Sequence, residues 1–123
     1  MATDMTSKTG SNYVCQAMEE EKFMKYFLVQ SVMASPLPVS PEELTSKYIP
    51  MHEKHIAGGI EKGIVLFAGP KIGRSGGFMI TRAEDIDALQ VFTNADPFVL
   101  SGIAQFDITE FLMNDRSEFV KDW

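Results

Sequence analysis

A single cysteine, Cys15, stands among 123 residues, so the chain can close no disulfide on itself. There is no CxxC pair and no Cys/His cluster, which leaves structural zinc without ligands. Basic residues are few and scattered: 11 Lys and Arg against 17 Asp and Glu give a formal net charge of −6. Neutralising phosphate needs clustered cations, so neither nucleic acid nor an anionic membrane is an expected partner. No apolar run approaches the roughly 20 residues of a membrane span. The opening MATDMTSKTGSNY lacks the basic-then-apolar order of a secretory signal. These absences lead to the expectation of a soluble, cytoplasmic protein. Its length suits one domain with one core.

Residues 1–23 are polar and rich in Ser and Thr, and carry no core-facing pattern. They are read as a flexible N-terminal extension, with the domain at residues 24–112 and a C-terminal tail at 113–123. Within the domain, residues 26–33 read as a strand that is apolar on both faces: Tyr26, Leu28 and Val32 on one, Phe27, Val29 and Met33 on the other. A Pro-rich loop leads to Ser40, a good N-cap, with Pro41 at the first helical position and Glu42 and Glu43 at the positive end of the dipole. A helical pattern runs on to Lys62, with Pro50 predicting a kink or two helices with Pro50 opening the second, and Gly63 ending it.

IVLFAGPK from Ile64 is a second strand, IGRSGG a turn, and GFMITRA a third strand, together a hairpin. Residues 84–95 predict a second helix with Ile86, Leu89 and Phe92 inward, stopped before Pro97. PFVLSG reads as a tight connector. IAQFDITEFL alternates as a fourth strand, with Ala104, Phe106 and Ile108 sharing a face. In the tail, Phe119 and Trp123 are candidate anchors. The order is βαββαβ, an α+β ferredoxin-like fold with a four-stranded antiparallel sheet and two helices on one face. Only one sheet face meets helices, yet the first two strands are apolar on both. A second copy packing sheet to sheet would cover the other face, so a homodimer is expected.

Both histidines fall on the first helical segment. Ile49, His52, Ile56 and Ile60 form one apolar stripe, which aims His52 at the sheet. His55 sits at the margin, near Tyr48 and Gly59. Glu53 and Lys54 lie on the wet side. An inward histidine can simply be a core residue satisfied by a backbone carbonyl. Gly58 and Gly59 each cost roughly 1 kcal/mol against alanine in a helix. That cost implies either close backbone packing or room for a ligand. Asp96, before Pro97, is either a turn residue or an orienting carboxylate for His52. As a pair they would form an acid–base device able to shuttle protons near neutral pH. Arg74 and Ser75, in the glycine turn, either sit in solvent or meet an anionic or phenolic ligand. GRSGG is too short and misplaced for a phosphate loop.

His52, then Gly63, then LFAGP closing at Pro70, the GG strand, Asp96-Pro97-Phe98 and Ser101-Gly102-Ile103 together resemble the YCII-related domain family over residues 24–112. The resemblance implies the ferredoxin-like fold, pairing into a dimeric α/β barrel, and a shared histidine and aspartate proposed as a catalytic pair. These fall on His52 and Asp96. One characterised type in the family eliminates chloride from a chlorinated hydroxyhydroquinone. The sequence departs from the family in having Gly59 where a bulkier apolar residue is usual, and a shorter loop after GP. Both predict a differently shaped pocket.

The expectation is therefore a small enzyme without cofactor or metal. His52 and Asp96 would transfer protons on an aromatic or enolic metabolite, with His55, Gly59, Arg74 and Ser75 as candidate substrate contacts. An isomerase, lyase or dehalogenase would all fit. A non-catalytic small-molecule-binding or accessory dimer would use the same cavity. A purely structural dimer would have no use for the His/Asp pair.

Overall fold

In a computed structural model of the chain, residues 24–123 are described. The expected extension at residues 1–23 lies outside them. Strand β1 (Lys25–Met33) is the middle of the sheet. It pairs antiparallel with β3 (Gly77–Ala83) on one side and β4 (Ala104–Phe111) on the other, and β2 (Val65–Pro70) adds the outer edge beside β3. The strand order is β2-β3-β1-β4. This is the four-stranded antiparallel sheet of the ferredoxin-like fold.

Register explains which residues go inward. Val29 lies opposite Met79 on one neighbour and Ile108 on the other, while Phe27 lies opposite Thr81. Because side chains alternate across a strand, all of these point to one face. Phe27, Val29, Met79 and Thr81 are buried there. Thr81 is satisfied in the core by donating its hydroxyl to the Phe27 carbonyl at 3.0 Å. The opposite face carries Tyr26, Leu28 and Val32 with Phe78 and Ile80. On it Val32 is 51% and Phe67 48% exposed. The Phe67 and Phe78 rings meet edge-on at 6.0 Å.

The first helical run begins as the capping residues dictate. Ser40 accepts the Glu43 amide at 3.1 Å and Pro41 opens helix α1 (Pro41–Glu43). At Pro50 the second of the two expected outcomes is close to what is seen: a separate helix with Pro50 in its first turn. A π-helical turn, Leu44–Tyr48, joins α1 to helix α2 (Ile49–Glu61) while the backbone stays right-handed throughout. Proline has no N–H to give and its ring crowds the carbonyl four residues back. The wider turn, closed by the Ile49 amide on the Leu44 carbonyl, accommodates it without a break. Gly63 ends the run with φ +78°, its amide on the Ile60 carbonyl at 3.0 Å.

Helix α3 (Ile86–Asn94) is capped by Asp85, which accepts the Ala88 amide at 2.8 Å. Leu89 is fully buried as expected, but Ile86 is largely exposed and Thr93 is buried in its place on the inner side. PFVL is not a plain connector: it forms a short helix, α4 (Pro97–Leu100). Two apolar clusters result. One gathers Phe27, Val29, Val65, Met79, Ala83 and Leu89; the other, Phe98, Ile103 and Ala104. The C-terminal tail returns to the open sheet face. The Tyr26 hydroxyl donates to the Trp123 carbonyl at 2.9 Å, and the Arg82 guanidinium lies 4.5 Å over the Trp123 ring. Trp123 is thus an anchor, whereas Phe119 is 84% exposed.

Candidate active site

Asp96 is fully buried. A buried carboxylate has to be paired or bonded, because desolvation alone would disfavour it strongly. Two segments supply its partners. Pro97, with its fixed φ and no N–H, opens α4, and Asp96 is the N-cap, its Oδ1 accepting the Phe98 amide at 2.8 Å. From α2, His52 brings Nδ1 to 2.9 Å from Oδ1 and 2.8 Å from Oδ2. A carboxylate only accepts, so Nδ1 carries the hydrogen and shares it between the two oxygens. In the neutral ring Nε2 is then a lone-pair acceptor. The ring is held flat on Phe98, centroids 4.2 Å apart and planes within 8°. Position, tautomer and tilt are all set by neighbours.

His52 keeps 26% of its side chain exposed, and it lines a cavity of about 610 Å³ between α2 and the sheet. The helix wall adds Ile49, Ile56 and Ile60. The sheet wall adds the side chains of Val29, Ser31 and Met33 from β1 and Met79 from β3. Ile60 is 49% exposed because the stripe it continues opens onto this space. Glu53, expected on the wet side, borders the cavity as well. Among the described residues no Lys or Arg lines it, and no group of three or more His, Cys, Asp or Glu is placed to hold a metal ion.

The other sequence candidates stand outside this lining. His55 directs Nε2 to the Phe92 carbonyl at 2.8 Å and stacks on the Phe92 ring at 4.4 Å. A carbonyl only accepts, so Nε2 is the protonated nitrogen there. Gly59 is a packing glycine: a Cβ on it would sit 2.5 Å from the Phe92 ring and 2.9 Å from Val65. Gly58 would meet nothing within 4 Å. Room for a ligand is therefore not the reason for Gly59; close approach of α2 to α3 and β2 is. Arg74 and Ser75 are exposed on the turn, next to the cavity-lining Gly76 and Gly77. Two contributors escaped the sequence reading. Phe98 stands out in the sequence only as part of Asp96-Pro97-Phe98. Ser31 gave a signal: a polar residue in the inward phase of β1, between Val29 and Met33.

A ferredoxin-like α+β domain, with a buried aspartate orienting a histidine at a cavity between helix and sheet, is the class of protein that fold and site define. The YCII-related domain model matches residues 24–112, and the chain belongs to that family. Among curated proteins its sequence finds no match. Among solved structures it is similar to the 5-chloro-2-hydroxyhydroquinone dehydrochlorinase TftG of Burkholderia phenoliruptrix in complex with 2,5-dihydroxybenzoquinone. The TM-score is 0.51 and the identity 22%, over 71% of this chain and 93% of that one. At that identity the likeness shows a shared fold. Among the described residues no helix is long and apolar enough to cross a membrane.

Proposed function

We propose that the protein is a small enzyme that moves protons on an aromatic or enolic metabolite, with His52 and Asp96 as its acid–base pair and no cofactor. The observation that carries this reading is the His52–Asp96 contact, 2.8 Å at its shorter, at the wall of an apolar cavity. Nε2 takes a proton from an acidic C–H or O–H of the substrate, and the Asp96 carboxylate stabilises the imidazolium that forms. The electron pair left behind becomes an enolate or phenolate. In an isomerisation the imidazolium returns the proton at another carbon. In an elimination the pair expels a leaving group, such as halide, with its own electrons. TftG, named as a dehydrochlorinase, makes elimination from a hydroxylated ring the first reaction to try.

The test is a panel of halogenated hydroquinones and enolisable ketones in deuterated buffer, followed by halide release and deuterium incorporation. His52→Ala is expected to abolish both signals. Equal signals from wild type and His52→Ala would overturn the proposal.

The working unit in this reading is a homodimer joined through the sheet face away from the helices. Exposed Val32 and Phe67, flanked by Phe78 and Ile80, support it, and the Trp123 anchor leaves that part of the face open. Light scattering at micromolar concentration checks this, and a monomer there would count against it.

A further inference from the structure

The acid–base pair gives the helix wall of the cavity a task and leaves the sheet wall without one. Ser31 is the polar side chain of that wall, set between Val29 and Met33 on the inward face of β1. Its Oγ accepts the Gly77 amide at 2.6 Å. Among the described residues its own proton has only the Gly77 carbonyl, at 3.4 Å, well beyond the usual 2.7–2.8 Å of an O–H···O bond. The turn is shaped around this serine. Gly76 has φ +84°, and a Cβ on it would collide with the Ser31 carbonyl and come within 2.8 Å of Oγ. A Cβ on Gly77 would sit 2.6 Å from the Gly69 carbonyl. Only glycine lets the turn settle on Ser31, so the IGRSGG segment holds a hydroxyl in place at the cavity.

Charge narrows what that hydroxyl can meet. No Lys or Arg lines the cavity among the described residues, and Glu53 borders it. A carboxylate or phosphate entering would lose its water without gaining a counter-charge, which is costly. A ketone, quinone or phenol oxygen would not suffer this. With Nδ1–H directed at Asp96, an unprotonated Nε2 of His52 can take a phenol O–H but gives no hydrogen to a ketone or quinone oxygen.

We infer that Ser31 is the hydrogen-bond donor of the site, anchoring a carbonyl or phenolic oxygen of an otherwise apolar, unionised ring ligand on the wall facing His52. The inference rests on the cavity being the ligand site proposed above. In that reaction Ser31 would hold the oxygen on which negative charge grows as Nε2 removes the proton.

The test compares acetophenone with α-methylstyrene, its isostere with CH₂ in place of the carbonyl oxygen, and with benzoate. Binding to the full chain is followed by NMR titration in mildly alkaline buffer. Wild type is expected to prefer acetophenone over the alkene by roughly tenfold, the worth of one hydrogen bond, and to bind benzoate weakest. Ser31→Ala should bring the ketone-to-alkene ratio close to one. Ser31→Thr, which keeps the hydroxyl and suits a strand, should restore it. If Ser31→Ala weakens both ligands equally, the serine only clamps the turn and the inference is overturned. A ratio unchanged in Ser31→Ala, or benzoate bound most tightly, overturns it too, as does failure of wild type to bind either neutral ring. His52→Ala should retain the ratio, so a failure of the acid–base reading would show in turnover and leave this result standing.

Discussion

His52 and His55 stand three residues apart on the same helix, each lies flat on a phenylalanine ring, and each brings one nitrogen to 2.8 Å from an oxygen. They differ in what surrounds that motif. His52 meets a buried carboxylate through Nδ1 and stands at the cavity. His55 meets the Phe92 carbonyl through Nε2 and lines no part of the cavity. A carboxylate can stabilise an imidazolium; a neutral carbonyl does so much less. The difference teaches that ring stacking and a short hydrogen bond are common to structural and reactive histidines alike. The charge of the acceptor, and the space left to the second nitrogen, separate the two.

The largest expected effect is on turnover. His52→Ala should cost about 10²–10⁴ in kcat, the usual worth of a positioned acid–base group, while His55→Ala stays within about threefold, a limit set by His55 touching no reacting group. Steady-state rates on any substrate found by the panel check this, and equal losses in the two variants would erase the comparison. Asp96 comes next, since it is both cap and orienter. Asp96→Ala removes the cap and leaves the Phe98 amide unpaired, for an expected loss of about 2–3 kcal/mol in urea unfolding. Asp96→Asn keeps a capping oxygen, so its stability should hold within about 1 kcal/mol while turnover falls as in His52→Ala. An inactive yet stable Asp96→Asn beside an unstable Asp96→Ala would separate the two roles of this carboxylate.

The His55 side can be broken from beneath. Gly59→Ala drives a methyl into the Phe92 ring on which His55 rests, and the crowding outweighs the helix gain of about 1 kcal/mol. A net loss of about 1–2 kcal/mol is expected. Gly58→Ala meets nothing and should gain up to about 1 kcal/mol. Calorimetric melting of the pair tests whether Gly59 serves packing. The smallest effect belongs to His55→Ala itself, an expected stability loss of about 1 kcal/mol for one hydrogen bond to a backbone carbonyl. A larger loss would show that His55 contributes more to the contact between α2 and α3 than a bond and a stack.

Much of this was legible before any folding was considered. The spacing of Ile49, His52, Ile56 and Ile60 aims His52 inward whatever it meets, because the helical period is local. Alternation along β4 separates Ala104, Phe106 and Ile108 from Gln105 and Asp107 in the same way. Caps are local too, so Ser40 and Pro41 mark a helix start without knowledge of the fold. Asp96-Pro97 follows the same local rule, with the carboxylate capping α4 and Pro97 opening it.

Contacts across long stretches of chain are another matter. His52 and Asp96 are 44 residues apart, His55 and Phe92 37, and Ser31 and Gly77 46. Periodicity states the direction of a side chain from its own axis and says nothing about which distant segment arrives there. The two glycines of α2 show the limit: in sequence they are equivalent, and only the approach of Phe92 and Val65 makes Gly59 obligatory and Gly58 free. Sequence by itself determined the order of the four strands and the two main helices, the inward faces of β1 and β4 and the inward aim of His52, since these depend on residues a few positions apart. The tertiary structure alone decided the acceptor each histidine meets, the task of each glycine and the placing of Ser31 at the cavity, since these depend on how separate elements pack.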